Sequence, residues 1–485
     1  MAETFRNYIN GEWVESASGE TFANLNPADT SENLGNFQQS TREDVRAALQ
    51  AAQEAFPAWA ETPAPKRGRV LYKAGELLEQ RFRDIAAILT REEGKPIREA
   101  IGEVLYSAYL FKYFGGEAYR LCGETTPSEW KNLFLYTERI PLGVVSIITP
   151  WNFPIAIPAW KTAPALACGN TVILKPASQA PMTALKLVEI LVEAGVPKGV
   201  INFVTGPGSR VGDEMITNSI VKAVSFTGSC GVGKSVMEKT APRLIKTQLE
   251  MGGKNPLVVL ADADLSKAVS LTMQGAFMST GQRCTATSRV IVEKAILQEY
   301  TDRLLAEAKK IKVGNPMDKD CYMGPAVDEG QLSTDMEYIE IGKKEGAKLI
   351  LGGHRLTGGD YEKGFFIEPT IFTDVNPKMR IAREEIFGPV LSIIPADNFE
   401  DALAKSNDVD FGLASAVCTR SLSKAQQFIK RTQSGQVMVN FPTANVEFQV
   451  PFGGMKDSSF GHREMGRAAI DFYSQLKTVY VDYND

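Results

Sequence analysis

Histidine is nearly absent from this chain: His354 and His462 are the only two in 485 residues. A multi-histidine metal centre or a Ser-His-Asp triad would have to be assembled from that pair, so neither is favoured. No CxxC or HExxH pattern occurs, and no metal site is expected. The six cysteines lack close regular spacing, the pattern of free thiols in a reducing compartment, so a cytoplasmic location is expected. Long apolar runs are also missing. The most apolar stretch, 154–169, is interrupted by Lys161 and by Pro154, Pro158 and Pro164, and falls short of the ~20 residues a membrane span needs. The first residues show no basic segment followed by an apolar one, so neither a signal peptide nor a membrane partner is expected. The net charge of −5 encodes no pull toward nucleic acid.

What remains is an ordinary globular composition, 44% hydrophobic and 23% charged, in a chain long enough for about two to four domains. Up to about residue 40, short apolar runs alternate with turn pairs (Asn10-Gly11, Ser18-Gly19, Asn26-Pro27), which predicts hairpins. Ser40 to Glu43 reads as a capping box before a helix that carries Val45, Leu49, Ala52 and Phe56 and should stop at Pro57. Helical spacing continues over about 66–93 and 97–119. From Gly143 the pattern changes to strands at 144–149, 171–174, 202–204, 223–226 and 256–260 with helices between, such as 183–194; this predicts a parallel sheet covered on its faces. A second α/β pattern follows Cys284, with strands near 288–292, 367–371 and 390–394. The tail at 477–481 is β-rich with nothing of its own to cover it, and reads as an edge strand that pairs with another segment or subunit.

One motif points two ways. Residues 228–235, GSCGVGKS, match the phosphate-cradling GxxxxGK[ST] loop after an apolar strand, and Asp262 ends a second apolar strand as a Mg²⁺-binding Asp would. The same glycines at a helix N-terminus would serve a dinucleotide pyrophosphate equally well, or simply make a tight turn. The rest of the chain must decide.

Three further segments are individually bland. Cys284 follows a Ser/Thr/Gly-rich stretch, Glu250 ends a strand beside two glycines, and Asn152 lies in a turn between two prolines. A buried inert thiol, a salt-bridged carboxylate and a turn-forming Asn are their ordinary readings. Taken together they supply a complete set of roles. A thiolate can attack an aldehyde carbon. The Asn152 amide and the Cys284 backbone N–H can hold the resulting oxyanion. A nicotinamide can accept hydride, and a carboxylate can activate water against the thioester.

PWNFP (150–154), LEMGGKNP (249–256), GQRC (281–284) and EEIFGP (384–389), in this order, resemble the aldehyde dehydrogenase superfamily, and the resemblance runs from Tyr8 to Tyr480. It implies an α/β fold: a Rossmann-type cofactor domain (1–122 and 141–252), an α/β catalytic domain (253–442), a small β oligomerisation element (123–140 and 471–485) and a connecting segment (443–470). It implies Cys284 as nucleophile, Glu250 as base and Asn152 as oxyanion donor, with Lys161 and Glu464 as a proton-relay pair or a structural ion pair. For NADP or NAD it implies Trp151, Lys175, Ser178, Gly208, Gly212, Thr227, Gly228, Ser229, Gly233, Glu385 and Phe387. Relatives that prefer NAD usually carry Glu where Ser178 stands; a hydroxyl tolerates a 2′-phosphate that a carboxylate would repel, so NADP is expected to be preferred. The presence of Glu250 favours hydrolysis to a free acid over transfer to CoA.

The resemblance lines the substrate mouth with Tyr106, Phe153, Trp160 and Phe452. Arg283, beside the nucleophile, is either a structural ion-pair residue or a clamp for a substrate carboxylate. Residues 62–68, 123–125 and 458–464 look most like the branch that oxidises α-ketoglutaric semialdehyde, with succinate semialdehyde and a broad range of aldehydes as alternatives. A homodimer or homotetramer is implied.

Overall fold

The computed structural model describes residues 2–484. Its eight-stranded sheet runs in the order Glu12–Val14, Asn7–Ile9, Ile201–Phe203, Thr171–Lys175, Val144–Ile148, Val221–Thr227, Lys246–Glu250, Ser459–Phe460. The five strands from Ile201–Phe203 to Lys246–Glu250 are mutually parallel. Numbered along the chain from Val144–Ile148, those five stand in the order 3-2-1-4-5, the doubly wound arrangement in which ligands sit at the strand ends where the winding reverses. Here that point lies between Val144–Ile148 and Val221–Thr227. Thr171–Lys175 is buried at every position, which explains its unalternating apolar sequence: helices cover both faces.

A seven-stranded sheet follows in the order Lys348–Leu351, Thr370–Thr373, Val390–Ala396, Thr287–Glu293, Asn255–Val259, Ala414–Cys418, Gln436–Val439, parallel except for its first strand. The strand expected at 256–260 belongs to this sheet rather than to the first one. The tail expected to be uncovered is strand Ser474–Asp482, paired antiparallel with Leu133–Pro141 of its own chain in unbroken register from Ser474↔Pro141 to Asp482↔Leu133. Thr125–Thr126 completes that three-stranded sheet, and Ser474–Asp482 is left as its edge. The segment 443–470 contributes Ser459–Phe460 to the first sheet, against Leu249 and Glu250.

Local readings shift where tertiary contacts override them. The first capping box is Thr41 with Asp44, one residue later than expected, because Asp44 also accepts from Ser16 and the Ala17 N–H. The helix Arg42–Glu61 passes through Pro57, since Trp59 is buried and anchors its last turn. The single helix expected over 66–93 is two, Ala64–Gln80 and Phe82–Glu93, broken at Arg81. Among the described residues no helix is long and apolar enough to cross a membrane.

Candidate active site

The strand ends at and beside the winding reversal deliver five of the expected residues. Val144–Ile148 runs into the turn that holds Trp151 and Asn152; Val221–Thr227 runs into Gly228 and Ser229; Glu250 ends Lys246–Glu250, in register with Thr227. The second sheet supplies the thiol. Ser279, Thr280 and Gly281 are three successive left-handed residues (φ 50, 57 and 68°) that turn the chain sharply before Cys284. Non-glycine residues hold that conformation only where their surroundings fix it. Here the Ser279 N–H and hydroxyl donate to Glu99, the Thr280 hydroxyl donates to the Gly324 carbonyl, and Gln282 accepts the Val327 N–H at 2.9 Å.

Asn255, at the start of the neighbouring strand, donates its amide to the Cys284 carbonyl at 2.8 Å and to the Ala286 carbonyl at 2.9 Å. Asn152 is buried and donates to the Gln282 carbonyl at 3.1 Å, which places its amide against the Cys284 loop. The Cys284 thiol is pushed up to about 12, first by burial and then by the charges of Glu385 and Glu250, while the Thr285 N–H opposes the shift. Glu250 is buried and held well above the ordinary carboxyl range by burial and by Glu464, with Ser459, Lys161 and Arg463 opposing. One Glu250 oxygen accepts from the Ser459 hydroxyl; the other has no partner among the described residues. Lys161 and Glu464 form a fully buried ion pair, and Lys161 also donates to the Ser225 hydroxyl at 2.9 Å.

Cys284 lines two cavities. One, of about 220 Å³, is formed with Trp151, Asn152, Thr227, Gly228, Glu385 and Phe387, with Gln331 as a member not foreseen from the sequence. It suits a dinucleotide: the Thr227 hydroxyl is buried without a partner among the described residues, and Glu385 is fixed by the Gly253 N–H at 3.0 Å. A Cβ on Gly252 would stand 1.9 Å from Glu385, so only glycine lets that carboxylate lie there. Burial raises the Glu385 carboxyl to about 7. Phe387 adopts φ 65° and packs edge-on against Trp151, ring centroids 5.3 Å apart. Along the sheet end, Gly208 and Gly212 face open space and Ser178 is half-buried. Lys175 is buried, donates to the Pro176 carbonyl at 2.9 Å, and is pulled down to about 8 by burial.

The 228–235 motif does not wrap as a phosphate loop. The helix Cys230–Thr240 starts at its third residue, so Gly231, Gly233 and Lys234 are helical and none of its glycines has a positive φ. Gly233 serves close packing, because a Cβ there would meet the Met251 sulfur at 2.3 Å. Lys234 points outward to Asp457 at 2.8 Å. The nucleoside-triphosphate reading is thereby removed.

The second cavity, of about 420 Å³, is lined by Tyr106, Phe153, Trp160, Arg283 and Cys284, as expected. Phe452 is not among its walls: it is buried behind Trp160, ring centroids 5.7 Å apart, and its backbone pairs with that of Glu464. Phe441 and Val446 complete the apolar wall. Arg283 is not a free cation. Its Nη2 is ion-paired with Glu99, and its Nε donates to Ser279 at 3.1 Å. Lys95, Glu99 and Glu103, which no motif in the sequence singles out, also line the cavity. Among the described residues no cluster of His, Cys, Asp and Glu could hold a metal ion.

A family model described as "Aldehyde dehydrogenase family" matches residues 13–479. The α-ketoglutaric semialdehyde dehydrogenase of Bacillus subtilis is 48% identical over 478 residues, covering 99% of this chain and 98% of that protein. The 2,5-dioxopentanoate dehydrogenase of Saccharolobus solfataricus is 46% identical over 97% of this chain and 98% of its own. Among solved structures, the betaine aldehyde dehydrogenase of Staphylococcus aureus in complex with NAD⁺ superposes with a TM-score of 0.97 at 35% identity, covering 100% of this chain and 95% of that one.

Proposed function

The chain belongs to the aldehyde dehydrogenase family and is an NAD(P)-dependent oxidoreductase acting on aldehydes; from that premise we propose that it oxidises an acid semialdehyde, α-ketoglutaric semialdehyde, to the free dicarboxylate through a thioester on Cys284. The observation that carries this reading is the thiol at the junction of two cavities, one suited to a dinucleotide and one walled by aromatic side chains.

In this reading the Cys284 thiolate, its proton given up to water, attacks the aldehyde carbon. The Asn152 amide and the Cys284 backbone N–H hold the oxyanion. Bound in the smaller cavity, the nicotinamide supplies the hydride acceptor, and Glu385, Phe387 and Trp151 would hold its ribose and ring. Collapse of the tetrahedral centre leaves a thioester. Glu250 then takes a proton from water, hydroxide adds to the acyl carbon, and the carbon–sulfur bond breaks to release the carboxylate and restore the thiol. The buried Lys161–Glu464 pair stands behind Glu250 and would carry its proton onward. Trp151, Thr227, Gly228 and Ser229 would receive the cofactor's phosphates and nicotinamide end, with Gly233 packing the helix behind them on Met251, and Lys175, Ser178, Gly208 and Gly212 would receive its adenosine end. With Ser178 in place of an acidic residue, NADP is preferred.

Arg283, held flat by Glu99 and Ser279, would present its remaining guanidinium edge to the substrate carboxylate. The parts would be a cofactor domain (1–122 and 141–252), a catalytic domain (253–442) and an oligomerisation element (123–140 and 471–485). The exposed Phe134, Leu476, Tyr480 and Val481 on the three-stranded sheet support burial against a second copy, in a homodimer or homotetramer.

Steady-state rates with α-ketoglutaric semialdehyde, succinate semialdehyde and propanal test the assignment. The highest kcat/KM belongs to the first; propanal equal to both acids would reject an acid-semialdehyde substrate.

A further inference from the structure

The turn that carries Asn152 is gripped at both ends by two buried charged residues outside the expected site. Lys95 lies just beyond helix Phe82–Glu93, and Glu103 lies on helix Ile97–Glu117. Lys95 is 1% exposed, and its ammonium donates to the Asn152 carbonyl oxygen at 2.6 Å and to Glu103 Oε2 at 2.7 Å. The other Glu103 oxygen accepts the Ile155 and Ala156 N–H groups, both at 3.1 Å, at the first turn of helix Ala156–Ala167. The Phe153 ring between these two anchors lies 4.2 Å from the Lys95 ammonium.

We propose that Lys95 and Glu103 are positioning residues that set where the Asn152 amide meets the developing oxyanion; the proposal rests on the reading of Asn152 as oxyanion donor. Capping a helix does not need this arrangement. A short polar side chain satisfies first-turn N–H groups at small cost, whereas burying a lysine and a glutamate costs several kcal/mol before their attraction is counted. What the buried pair adds is a fixed point on the backbone of Asn152 itself. Glu93 completes the cluster: it accepts the Lys95 backbone N–H at 3.0 Å and lies 3.8 Å from the ammonium. Burial lifts the Glu93 carboxyl to about 8, so at neutral pH it is mainly a neutral acid, and the Lys95–Glu103 pair closes its charge without it. Among the described residues the Asn152 side chain has only the Gln282 carbonyl to hold it, so without Lys95 its amide would follow the nucleophile loop instead of standing against it. A displacement of about 1 Å at such a donor costs on the order of a hundredfold in rate.

The test separates oxyanion stabilisation from thiol reactivity in the full-length enzyme. The pre-steady-state burst of cofactor reduction passes through an oxyanion, while alkylation of Cys284 by iodoacetamide does not. Lys95→Met should lower the burst rate roughly tenfold or more and leave the alkylation rate within about twofold, with Lys95→Arg recovering part of the burst. In an Asn152→Ala background, Lys95→Met should cost less than about a further twofold, because both act on one donor. Should Lys95→Met fail to fold, Glu103→Gln keeps an acceptor for the two N–H groups, removes the anion facing Lys95, and should show the same split. Loss of the burst in Asn152→Ala but not in Lys95→Met or Glu103→Gln would overturn this inference alone. Equal loss of burst and alkylation would make the pair merely structural. A full burst in Asn152→Ala would reject the donor reading and the inference with it.

Discussion

Asn255 donates its side-chain amide to the Cys284 carbonyl oxygen at 2.8 Å, tying the first residue of one strand to the backbone that carries the thiol. The same amide reaches the Ala286 carbonyl, and its oxygen accepts the Ala414 N–H at 2.9 Å. Asn255→Ala leaves these groups without their partner, at about 1–3 kcal/mol for each that stays buried and unpaired. The expected outcome is a Tm lowered by several degrees together with a reduced burst. An unchanged burst would mean that the loop holds its geometry unaided.

Gly252 is expected to be intolerant of any side chain. A Cβ at 1.9 Å from Glu385 must displace a carboxylate that accepts the Gly253 N–H. A hydrogen bond to a charged group is worth about 1.5–3 kcal/mol, so Gly252→Ala should raise the cofactor KM roughly ten- to a hundredfold. Titrating cofactor fluorescence in the variant checks this independently of turnover.

The raised carboxyl of Glu250 fixes the sign of the pH dependence. Burial and Glu464 favour its protonated form, so the base is gained as pH rises through a value well above the usual carboxyl range. The hydrolytic rate should therefore climb with pH at values above the usual carboxyl range, and Glu464→Gln, by removing a negative neighbour, should move that climb to lower pH. A climb shifted upward in Glu464→Gln would contradict the assignment. The Cys284 thiol, lifted to about 12, predicts iodoacetamide alkylation of the cofactor-free enzyme that rises about tenfold per pH unit between pH 7 and 9.

Cofactor choice should turn on Ser178. Ser178→Glu places a negative charge where a 2′-phosphate would lie, and kcat/KM for NADP should fall at least about tenfold relative to NAD. No change in that ratio would move selectivity to other residues.

Arg283 should act on acids selectively. Arg283→Met removes the cation and leaves Glu99 with Ser279 but no counter-charge in the cavity wall, so KM for α-ketoglutaric semialdehyde should rise roughly tenfold more than KM for propanal. Equal rises would leave Arg283 with its structural ion pair alone.

Much of the parallel architecture was legible because fully buried strands such as Thr171–Lys175 write themselves as unbroken apolar runs. The sheet to which each strand belongs was not. Asn255–Val259 follows Lys246–Glu250 after only four residues, yet it crosses to the second sheet, because Gly252 and Gly253 let the chain pass under Glu385 and the Cys284 loop. Ala414–Cys418 and Gln436–Val439 were missed: their apolar runs are short, and they are held by register with Asn255–Val259 and with each other. At the site, Cys284, Glu250 and Asn152 stood out through dense local motifs. Lys95, Glu99 and Glu103 did not, since charged residues ordinarily face water and only distant partners turn these inward: Asn152 and Glu103 for Lys95, Ser279 and Arg283 for Glu99, and the start of helix Ala156–Ala167 for Glu103. The GxxxxGK pattern misleads for the converse reason: a helix that starts early converts a loop motif into a packing surface.

The most direct test of a thioester on Cys284 is intact-protein mass spectrometry of Glu250→Gln after a single exposure to α-ketoglutaric semialdehyde and NADP. The account predicts one equivalent of reduced cofactor and a protein heavier by the aldehyde less two hydrogen atoms, with the added mass on the Cys284 peptide and absent in Cys284→Ala. Full steady turnover by Glu250→Gln, or reduced cofactor formed with no adduct at Cys284, would contradict it.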